Sequence, residues 1–324
     1  MTDGGFSMAK TTATLKTVQK IGFKNTMRKW WGQKYLQFMV LPGIIWMFVF
    51  NYIPMGGIVI AFKKYKITKP ISEAPWVALK YFKEFFNDSN FGDVLTNTLG
   101  ISILKLLIGF PLPILFALLV NEIRGIKFKK ISQTLSYLPH FLSWVVLGGI
   151  LTTWLAKDGV INDFLVAINI LKEPISFLGG PQYFWGLALI SDSWKELGWA
   201  AIIYLAAIAG VDQQLYEAAT VDGATKIQKI IYITLPSITG TIAIMLILQV
   251  STLLNTNFDQ MMILKNQINV SRSQVIDTYV YQVGMQMGKY SYATAVNLFR
   301  SVIALFLLLI SNKTCKKLLG RSLY

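Results

Sequence analysis

The sequence has very few of the residues from which active sites and metal sites are usually built. One histidine, His140, and one cysteine, Cys315, occur in 324 residues, too few for the usual metal or Cys/His catalytic sites. A phosphate-binding loop of the G-x-x-x-x-G-K-[ST] type is also absent, since the nearest string, GMQMGKY, is one residue too short and ends in tyrosine. The sequence therefore predicts that this chain is not an enzyme and holds no cofactor or metal.

Charged residues are scarce as well, and most of those present are basic. Only 15% of the residues are charged, whereas 54% are hydrophobic, and the net charge is +15. The mean hydropathy of +0.50 predicts an integral membrane protein rather than a soluble domain. Without a soluble domain to present a basic face, the lysines and arginines are expected to meet lipid head groups and not nucleic acid.

Apolar runs long enough to cross a membrane, which takes about 20 helical residues, occur throughout the chain. They lie near residues 36–62, 96–120, 132–155, 184–209, 234–256 and 296–312. Six crossings return both termini to one side, and that side carries 17 lysines and arginines against 11 on the other. Because cytoplasmic loops are enriched in basic residues, both termini are predicted to be cytoplasmic.

The segments around these runs are not predicted to form separate domains. Residues 1–35 form a basic interfacial segment without the apolar core and cleavage site of a signal peptide. Residues 36–312 form the six-span unit, and residues 313–324 form a cytoplasmic tail. The outer loops are rich in aromatic residues, which indicates either membrane anchors or a dock for a soluble receptor.

One cytoplasmic loop, within residues 211–236, carries an ordered pattern. In EAATVDGATKIQKIIYITLP, the Glu-Ala-Ala triplet is followed after three residues by Gly223, after nine more by Ile233, and then by Leu235 and Pro236. Apolar residues recur at helical spacing on both sides of the glycine, which predicts two short helices joined by a left-handed turn. The proline falls in the first turn of the next span, where its missing N–H is harmless. Such a loop would present a rigid knob to a soluble partner.

This loop resembles the EAA loop of binding-protein-dependent ABC importer permeases. The runs LPGIIWMFVFNYIPM, LPHFLSWVV and WKELGWAAIIYLAAIAGVDQQLYEAATVDGA are similar to the carbohydrate branch of that family, including alginate importers. The resemblance implies an all-α, six-span type I importer permease, multi-pass in the bacterial inner membrane. It implies a second, different permease, two ATPases that use ATP and Mg²⁺, and an external solute-binding protein. The residues implied to contact an ATPase are Glu217, Ala218, Ala219, Asp222, Gly223, Leu235 and Pro236.

Polar and aromatic residues within or near the spans are candidates for a saccharide path, because sugars bind to aromatic faces and planar polar groups. Ionisable side chains in a membrane are also costly, which favours a functional role. The candidates are Lys105, His140, Trp144, Trp194, Lys195, Gln249, Asn255, Asn257 and Arg300. Hydrogen bonding between helices is the alternative explanation for each. The three cations slightly favour an acidic saccharide over a neutral one.

Other classes of protein remain open on the sequence. A secondary transporter would account for six spans, but it would need an internal repeat, and the EAA string occurs once. An intramembrane enzyme would need a nucleophile or an acid–base pair within the spans, where His140 is the sole histidine. An importer permease for a solute other than a sugar is a further alternative, because the sequence does not identify the substrate.

Overall fold

The structure, a computed structural model, describes residues 31–319. Most of the predicted N-terminal basic segment and the end of the predicted C-terminal tail lie outside the described residues. Within residues 31–319 the chain is built from helices, and β-structure is limited to one bridge between Lys63 and Trp76. The predicted all-α fold class is therefore confirmed. The chain divides into two compact units between Gly57 and Ile58.

The first unit is formed by a long apolar helical run, Lys34–Phe62, whose length is sufficient to cross a membrane. It begins with helix α1, Lys34–Met47, and changes to a wider π-helical turn at Phe48–Tyr52. This run coincides with the first predicted span, which was placed over residues 36–62. The last residues of the run belong to the second unit, because the division between the units falls within it.

The second unit contains the remaining α-helices, which are numbered along the chain. They are α2 Lys80–Phe86, α3 Phe91–Leu104, α4 Pro111–Asn121, α5 Ile126–Tyr137, α6 Trp144–Trp154, α7 Val160–Ala167, α8 Phe184–Ala209, α9 Gln213–Val221, α10 Lys226–Lys229, α11 Leu235–Ser251, α12 Phe258–Leu264, α13 Val270–Ser273, α14 Ile276–Tyr281 and α15 Tyr290–Leu319. π-Helical turns at Lys105–Gly109 and Ile230–Thr234 join α3 to α4 and α10 to α11, so each pair forms one long helix.

Among the described residues, 4 helices are long and apolar enough to cross a membrane, or up to 6 if each of two bent pairs counts as one span. The bent pairs combine α5 with α6 and α8 with α9. Helix α8 coincides with the predicted fourth span, 184–209. The fifth span was predicted over 234–256, but it runs over Lys226–Ser251 because a capping box of Thr225 and Gln228 starts the helix earlier.

The apolar run predicted as a span over residues 132–155 does not form one straight helix. Helix α5 is followed by a 3₁₀ turn at Leu138–Phe141, and the helical direction changes by 101° before α6. Leu142 and Ser143 have extended backbones, and the Ser143 hydroxyl accepts the N–H of Val146 as the cap of α6. Hydropathy does not report the direction of the backbone, so an apolar run cannot reveal a sharp bend.

Helix α8 is the centre of the second unit. It packs against α4, α5 and α11, and α11 packs in turn against α15. The close approach of α5 requires Gly198, because a Cβ atom there would lie 2.2 Å from the carbonyl oxygen of Ser136. Ala201, Tyr204 and Ile208 continue this region of α8 into a buried apolar cluster with α4 and α11.

We predict that Gly198→Ala disrupts the packing of α5 on α8, whereas Gly186→Ala in the same helix is tolerated. The added methyl group would meet the Ser136 backbone in the first variant, while nothing lies within 4 Å of it in the second. Both changes raise intrinsic helix propensity by roughly 1 kcal/mol, so the contact alone separates them. Thermal unfolding and monodispersity in detergent measure the outcome, and equal stability of the two variants would contradict this packing.

Candidate functional site

The loop within residues 211–236 folds as two helices separated by a left-handed glycine. Asp212 caps α9 by accepting the N–H of Gln214 at 2.9 Å, and Gly223 follows the helix with φ +74°. Thr225 and Gln228 form the capping box at the start of α10. The two short helices and the left-handed turn predicted from the spacing are therefore confirmed. We call residues 212–229 the hairpin.

The hairpin exposes several large apolar side chains among its polar ones. The exposed fractions are 89% for Val221, 69% for Ile227 and, just beyond the hairpin, 74% for Tyr232. Glu217 and Ala218 are exposed on the first helix. The remaining hairpin residues implied by the family resemblance, Ala219, Asp222 and Gly223, line a shallow cleft with a volume of about 320 Å³.

The base of the hairpin is tied to the span that follows it. The hydroxyl groups of Tyr216 and Thr234 are 2.8 Å apart, and Lys229 Nζ donates to Thr220 Oγ1 at 2.7 Å. Leu235 packs on the buried cluster of α4, α8 and α11, and Pro236 is exposed in the first turn of α11 as predicted. The hairpin is thus connected to the spans by side chains as well as by the backbone.

A cleft with a volume of about 500 Å³ is lined by the α3–α4 helix, α8 and α11. We call it the membrane cleft. In its wall, Lys105 Nζ lies 3.1 Å from Asp192 Oδ2 and donates to Gln260 Oε1 at 3.0 Å. The fully buried Gln260 donates in turn to the Ala188 carbonyl at 2.7 Å and to Ser191 Oγ at 2.8 Å. These contacts compensate the lysine charge and tie α12 to α8.

A second polar cluster lies at the bend between α5 and α6. His140 Nδ1 and Glu196 Oε2 are 2.7 Å apart, and the His140 ring stacks on Trp199 with 4.3 Å between centroids. Lys195 Nζ donates to the His140 carbonyl at 2.6 Å, lies 3.4 Å from Glu196 Oε1 and lies 5.8 Å from the centroid of the buried Trp144 ring. Lys195 of α8 thereby provides a hydrogen-bond donor for the His140 carbonyl at the bend. Backbone groups that lack a helical partner need such a donor wherever water is excluded.

The other predicted path residues do not gather at one place. Gln249 lines the membrane cleft, which Trp199 and Lys105 also line. Trp194 and Asn255 are exposed and line none of the clefts described here. Asn257 has a left-handed backbone with φ +53°, and its side chain caps α12, which is a structural role.

The predicted preference for an acidic saccharide was based on three cations within spans. Arg300 forms an ion pair with Asp277, whose other oxygen accepts the N–H and the hydroxyl of Thr256 at 3.0 and 3.2 Å. Lys105 and Lys195 also have carboxylate partners, as described above. All three charges are compensated within the chain, so this argument from uncompensated charge does not hold.

Two residues of these clusters were missed by the sequence reasoning. Trp199 follows Glu196 by three residues, so helical spacing was a signal that both lie on one face of α8. Gln260 gave no comparable signal, because it lies in a segment that was read as an outer loop. The structure instead places it in α12, with the buried Met261 and Leu264.

A larger cleft, with a volume of about 920 Å³, lies where the segment after the first span meets α2, α14 and the start of α15. We call it the outer cleft. Asp88 Oδ2 accepts the hydroxyls of Tyr279 and Tyr292 at 2.7 and 2.9 Å, and Oδ1 accepts the backbone and side-chain N–H groups of Asn90. Burial by itself raises the pKa of Asp88, but these hydrogen bonds outweigh it and hold the pKa below its usual value.

Known proteins resemble this chain over most of its length. Residues 109–313 match the family described as "Binding-protein-dependent transport system inner membrane component". The polygalacturonan/rhamnogalacturonan transport system permease protein YteP of Bacillus subtilis (strain 168) is 43% identical over 90% of this chain and 91% of its own. Protein LplB of the same organism is 41% identical over 88% of this chain and 89% of its own.

Two solved structures also contain a chain that is similar to this one over most of its length. A chain in the crystal structure of a bacterial ABC transporter involved in the import of the acidic polysaccharide alginate has a TM-score of 0.82 and 38% identity, covering 90% of this chain and 99% of that chain. A chain of a bacterial alginate ABC transporter in complex with an alginate pentasaccharide-bound periplasmic protein has a TM-score of 0.83 and 37% identity, covering 93% and 99%.

These matches include the hairpin, the bend and most of the helices that line the membrane cleft. The family is a membrane component of transport systems and not a catalytic subunit, which agrees with the predicted lack of enzymatic activity. The chain is therefore a multi-pass membrane protein and belongs to the family of inner membrane permease components of binding-protein-dependent ABC importers.

Proposed function

We propose that this chain forms one half of the translocation path of an ATP-driven importer that carries acidic oligosaccharides across the bacterial cytoplasmic membrane. The observation that carries this proposal is the nearly full-length similarity to a polygalacturonan/rhamnogalacturonan permease and to an alginate importer. Both names specify polysaccharides that contain uronic acids. The proposal therefore rests on shared cargo chemistry among relatives and not on the charge of the spans.

The membrane cleft is the proposed wall of the path. An ammonium group has three N–H donors, and Lys105 directs two of them to Asp192 and Gln260, so one is left for a ligand. Gln249 and Trp199 supply a planar amide and an aromatic face in the same cleft. His140, Trp144 and Lys195 have a supporting role in this proposal, because they hold the bend in position beside the cleft.

The hairpin is the proposed contact with an ATPase. Large apolar side chains that are exposed and surrounded by polar residues are typical of protein interaction sites. Val221, Ile227 and Tyr232 are such side chains. By family resemblance, Glu217 would form an ionic contact, and Ala218 and Ala219 would allow close packing in the cleft of the ATPase. Asp222, Gly223, Leu235 and Pro236 would complete the coupling loop, with Gly223 forming its turn.

The working importer would contain several further subunits. We propose a second, different permease, two ATPases that bind ATP and Mg²⁺ on the cytoplasmic side, and a solute-binding protein outside. In this arrangement we propose that residues 36–312 form the permease domain, that residues 1–35 lie on the lipid surface, and that residues 313–324, of which 313–319 continue helix α15, form the cytoplasmic end of the chain. The alginate transporter structure supports the external partner, because it contains a pentasaccharide-bound periplasmic protein.

We predict that Glu217→Lys leaves the chain in the membrane but uncouples uptake from ATP hydrolysis. The substitution reverses a charge on an exposed surface of the hairpin without changing a span. Glu173→Lys, the same reversal in the loop before α8, is the control and should leave coupling unchanged. Oligosaccharide-stimulated ATPase activity and uptake in liposomes measure both, and normal coupling in Glu217→Lys would refute the ATPase contact. Gly223→Pro should uncouple as well, because proline cannot adopt φ +74°.

A second prediction concerns the composition of the complex. Native mass measurement should show one copy of this chain together with one copy of a different permease and two ATPases. Each ATPase needs its own hairpin, and this chain contains one EAA string, so two permease chains are required. That the second chain is a different permease is proposed by analogy with carbohydrate importers, since two copies of this chain would also supply two hairpins. A complex with two copies of this chain and no second permease would contradict the heterodimeric arrangement.

A third prediction separates the structural role of Lys105 from its role in the path. Lys105→Met should destabilise the chain by roughly 3 kcal/mol, because it leaves Asp192 without its partner in a low-dielectric wall. The double variant Lys105→Met/Asp192→Asn should recover most of this stability but not the uptake of trigalacturonate. Thermal unfolding and liposome uptake distinguish the two effects. Full recovery of uptake in the double variant would show that Lys105 does not contact the cargo.

A further inference from the structure

The outer cleft has walls that come from distant parts of the chain and are held by specific contacts. Ser291 Oγ donates to the Lys63 carbonyl at 2.6 Å and accepts the Tyr65 N–H at 3.0 Å, which joins the segment after the first span to α15. The Tyr65 ring meets the Tyr290 ring edge to face, with 6.2 Å between centroids. Both rings line the cleft, so it offers positioned aromatic surfaces, which ligand pockets commonly use.

The carboxylates of the outer cleft are largely occupied. Asp88 accepts the four hydrogen bonds described above, which is about the number of lone-pair sites that a carboxylate has. Glu84 lies 3.7 Å from Lys80 on α2. Asp93 is in the first turn of α3, where the helix dipole stabilises a negative charge. These contacts leave the carboxylates ionised, so an anionic ligand would have to bind at the lysines that line the same cleft.

A chain of hydrogen bonds orders two amide groups in the wall. Lys265 Nζ donates to Gln274 Oε1 at 2.8 Å, and Gln274 Nε2 donates to Gln282 Oε1 at 3.0 Å. Because an ammonium group can only donate, it determines which end of each amide carries the oxygen. Gln282 lines the cleft and retains its Nε2 donor for a ligand. Burial lowers the pKa of Lys265, which forms no ion pair within residues 31–319.

The GMQMGKY string, which is too short to be a phosphate-binding loop, forms one side of the outer cleft. Gln282–Gln286 is a π-helical turn, a feature that is frequent at functional sites, and Gly288 then turns the chain with φ +67°. Lys289 follows directly and lines the cleft together with Lys64 and Lys66. These three lysines are exposed and have no carboxylate partner in the part of the chain that the structure describes.

We propose that the outer cleft is a second saccharide site, which binds a carboxylate-bearing oligosaccharide before it reaches the membrane cleft. The lysines would bind carboxylates, the ordered amides would bind hydroxyls, and the tyrosine rings would contact the sugar faces. The choice of an acidic cargo rests on the proposed function, whereas the site itself rests on the geometry of the outer cleft. Its volume lies within the range of roughly 300–1,000 Å³ that is usual for ligand pockets.

The test uses the complete importer in nanodiscs, without the solute-binding protein, and trigalacturonate as the ligand. Met287 lines the outer cleft and is 54% exposed, so Met287→Cys can carry an environment-sensitive fluorophore. The native Cys315 is buried, and the parent complex treated with the same reagent gives the background. Glu173→Cys places the same fluorophore at an exposed position that does not line the outer cleft.

Trigalacturonate should give a saturable signal at Met287→Cys and none at Glu173→Cys. Adding Lys289→Gln should raise the Kd about tenfold, as expected for the loss of one charge-assisted hydrogen bond, and Gln282→Ala should raise it about fivefold, as expected for the loss of a neutral one. Lys83→Gln removes the same charge from an exposed position of α2 that does not line the cleft, and it should leave the Kd unchanged. The double variant Lys105→Met/Asp192→Asn, which changes the membrane cleft and is expected to retain most of the stability, should also leave it unchanged.

Several outcomes would overturn the outer site. These are the absence of a saturable signal, a Kd that neither Lys289→Gln nor Gln282→Ala alters, and a signal that is lost in Lys105→Met/Asp192→Asn. A signal that appears only when the solute-binding protein is added would identify the cleft as a protein dock instead. Uptake of trigalacturonate into liposomes tests the proposed function separately. Uptake without outer binding refutes only the outer site, and outer binding without uptake refutes only the proposed cargo.

Discussion

The structure depends on the requirement that each charge within the apolar helices finds a partner inside the chain, because the membrane offers no water to solvate it. Lys105 meets this requirement with Asp192 and Gln260, and Arg300 meets it with Asp277. The residues of each pair are far apart in the sequence, so the contacts that compensate charge also hold separate helices together. Gln260 shows the effect most clearly, since its amide contacts Lys105 through oxygen and α8 through nitrogen.

The same constraint explains why the chain tolerates a bend of 101° between α5 and α6. A bend leaves backbone groups without helical partners, and Lys195 of α8 satisfies the carbonyl of His140. Helix α8 also leads into the hairpin, since α9 follows it at an angle of 70°. In the proposed importer, one helix would therefore connect the ATPase contact to the bend and to the wall of the membrane cleft.

The two clefts differ in their electrostatics, and the difference suits a transporter. The membrane cleft has compensated charges, so it would bind an anionic sugar weakly enough to release it. The outer cleft has lysines without carboxylate partners among residues 31–319, and they lie at exposed positions where an acidic oligosaccharide would arrive. In this proposal, attraction of the cargo occurs outside the membrane, and passage occurs where the net charge of the wall is small.

The sequence by itself determined the features that depend on neighbouring residues. Hydropathy located α8, and the spacing around Gly223 predicted the hairpin, because helix periodicity and a left-handed turn are local properties. Among the predicted path residues, only the tertiary structure distinguished Lys105, whose ion pair lines a cleft, from Arg300, whose ion pair lines neither large cleft, and from Asn257 at a helix cap. It also revealed the bend within residues 132–155. These differences depend on partners that are distant in the sequence, and hydropathy averages only over adjacent residues.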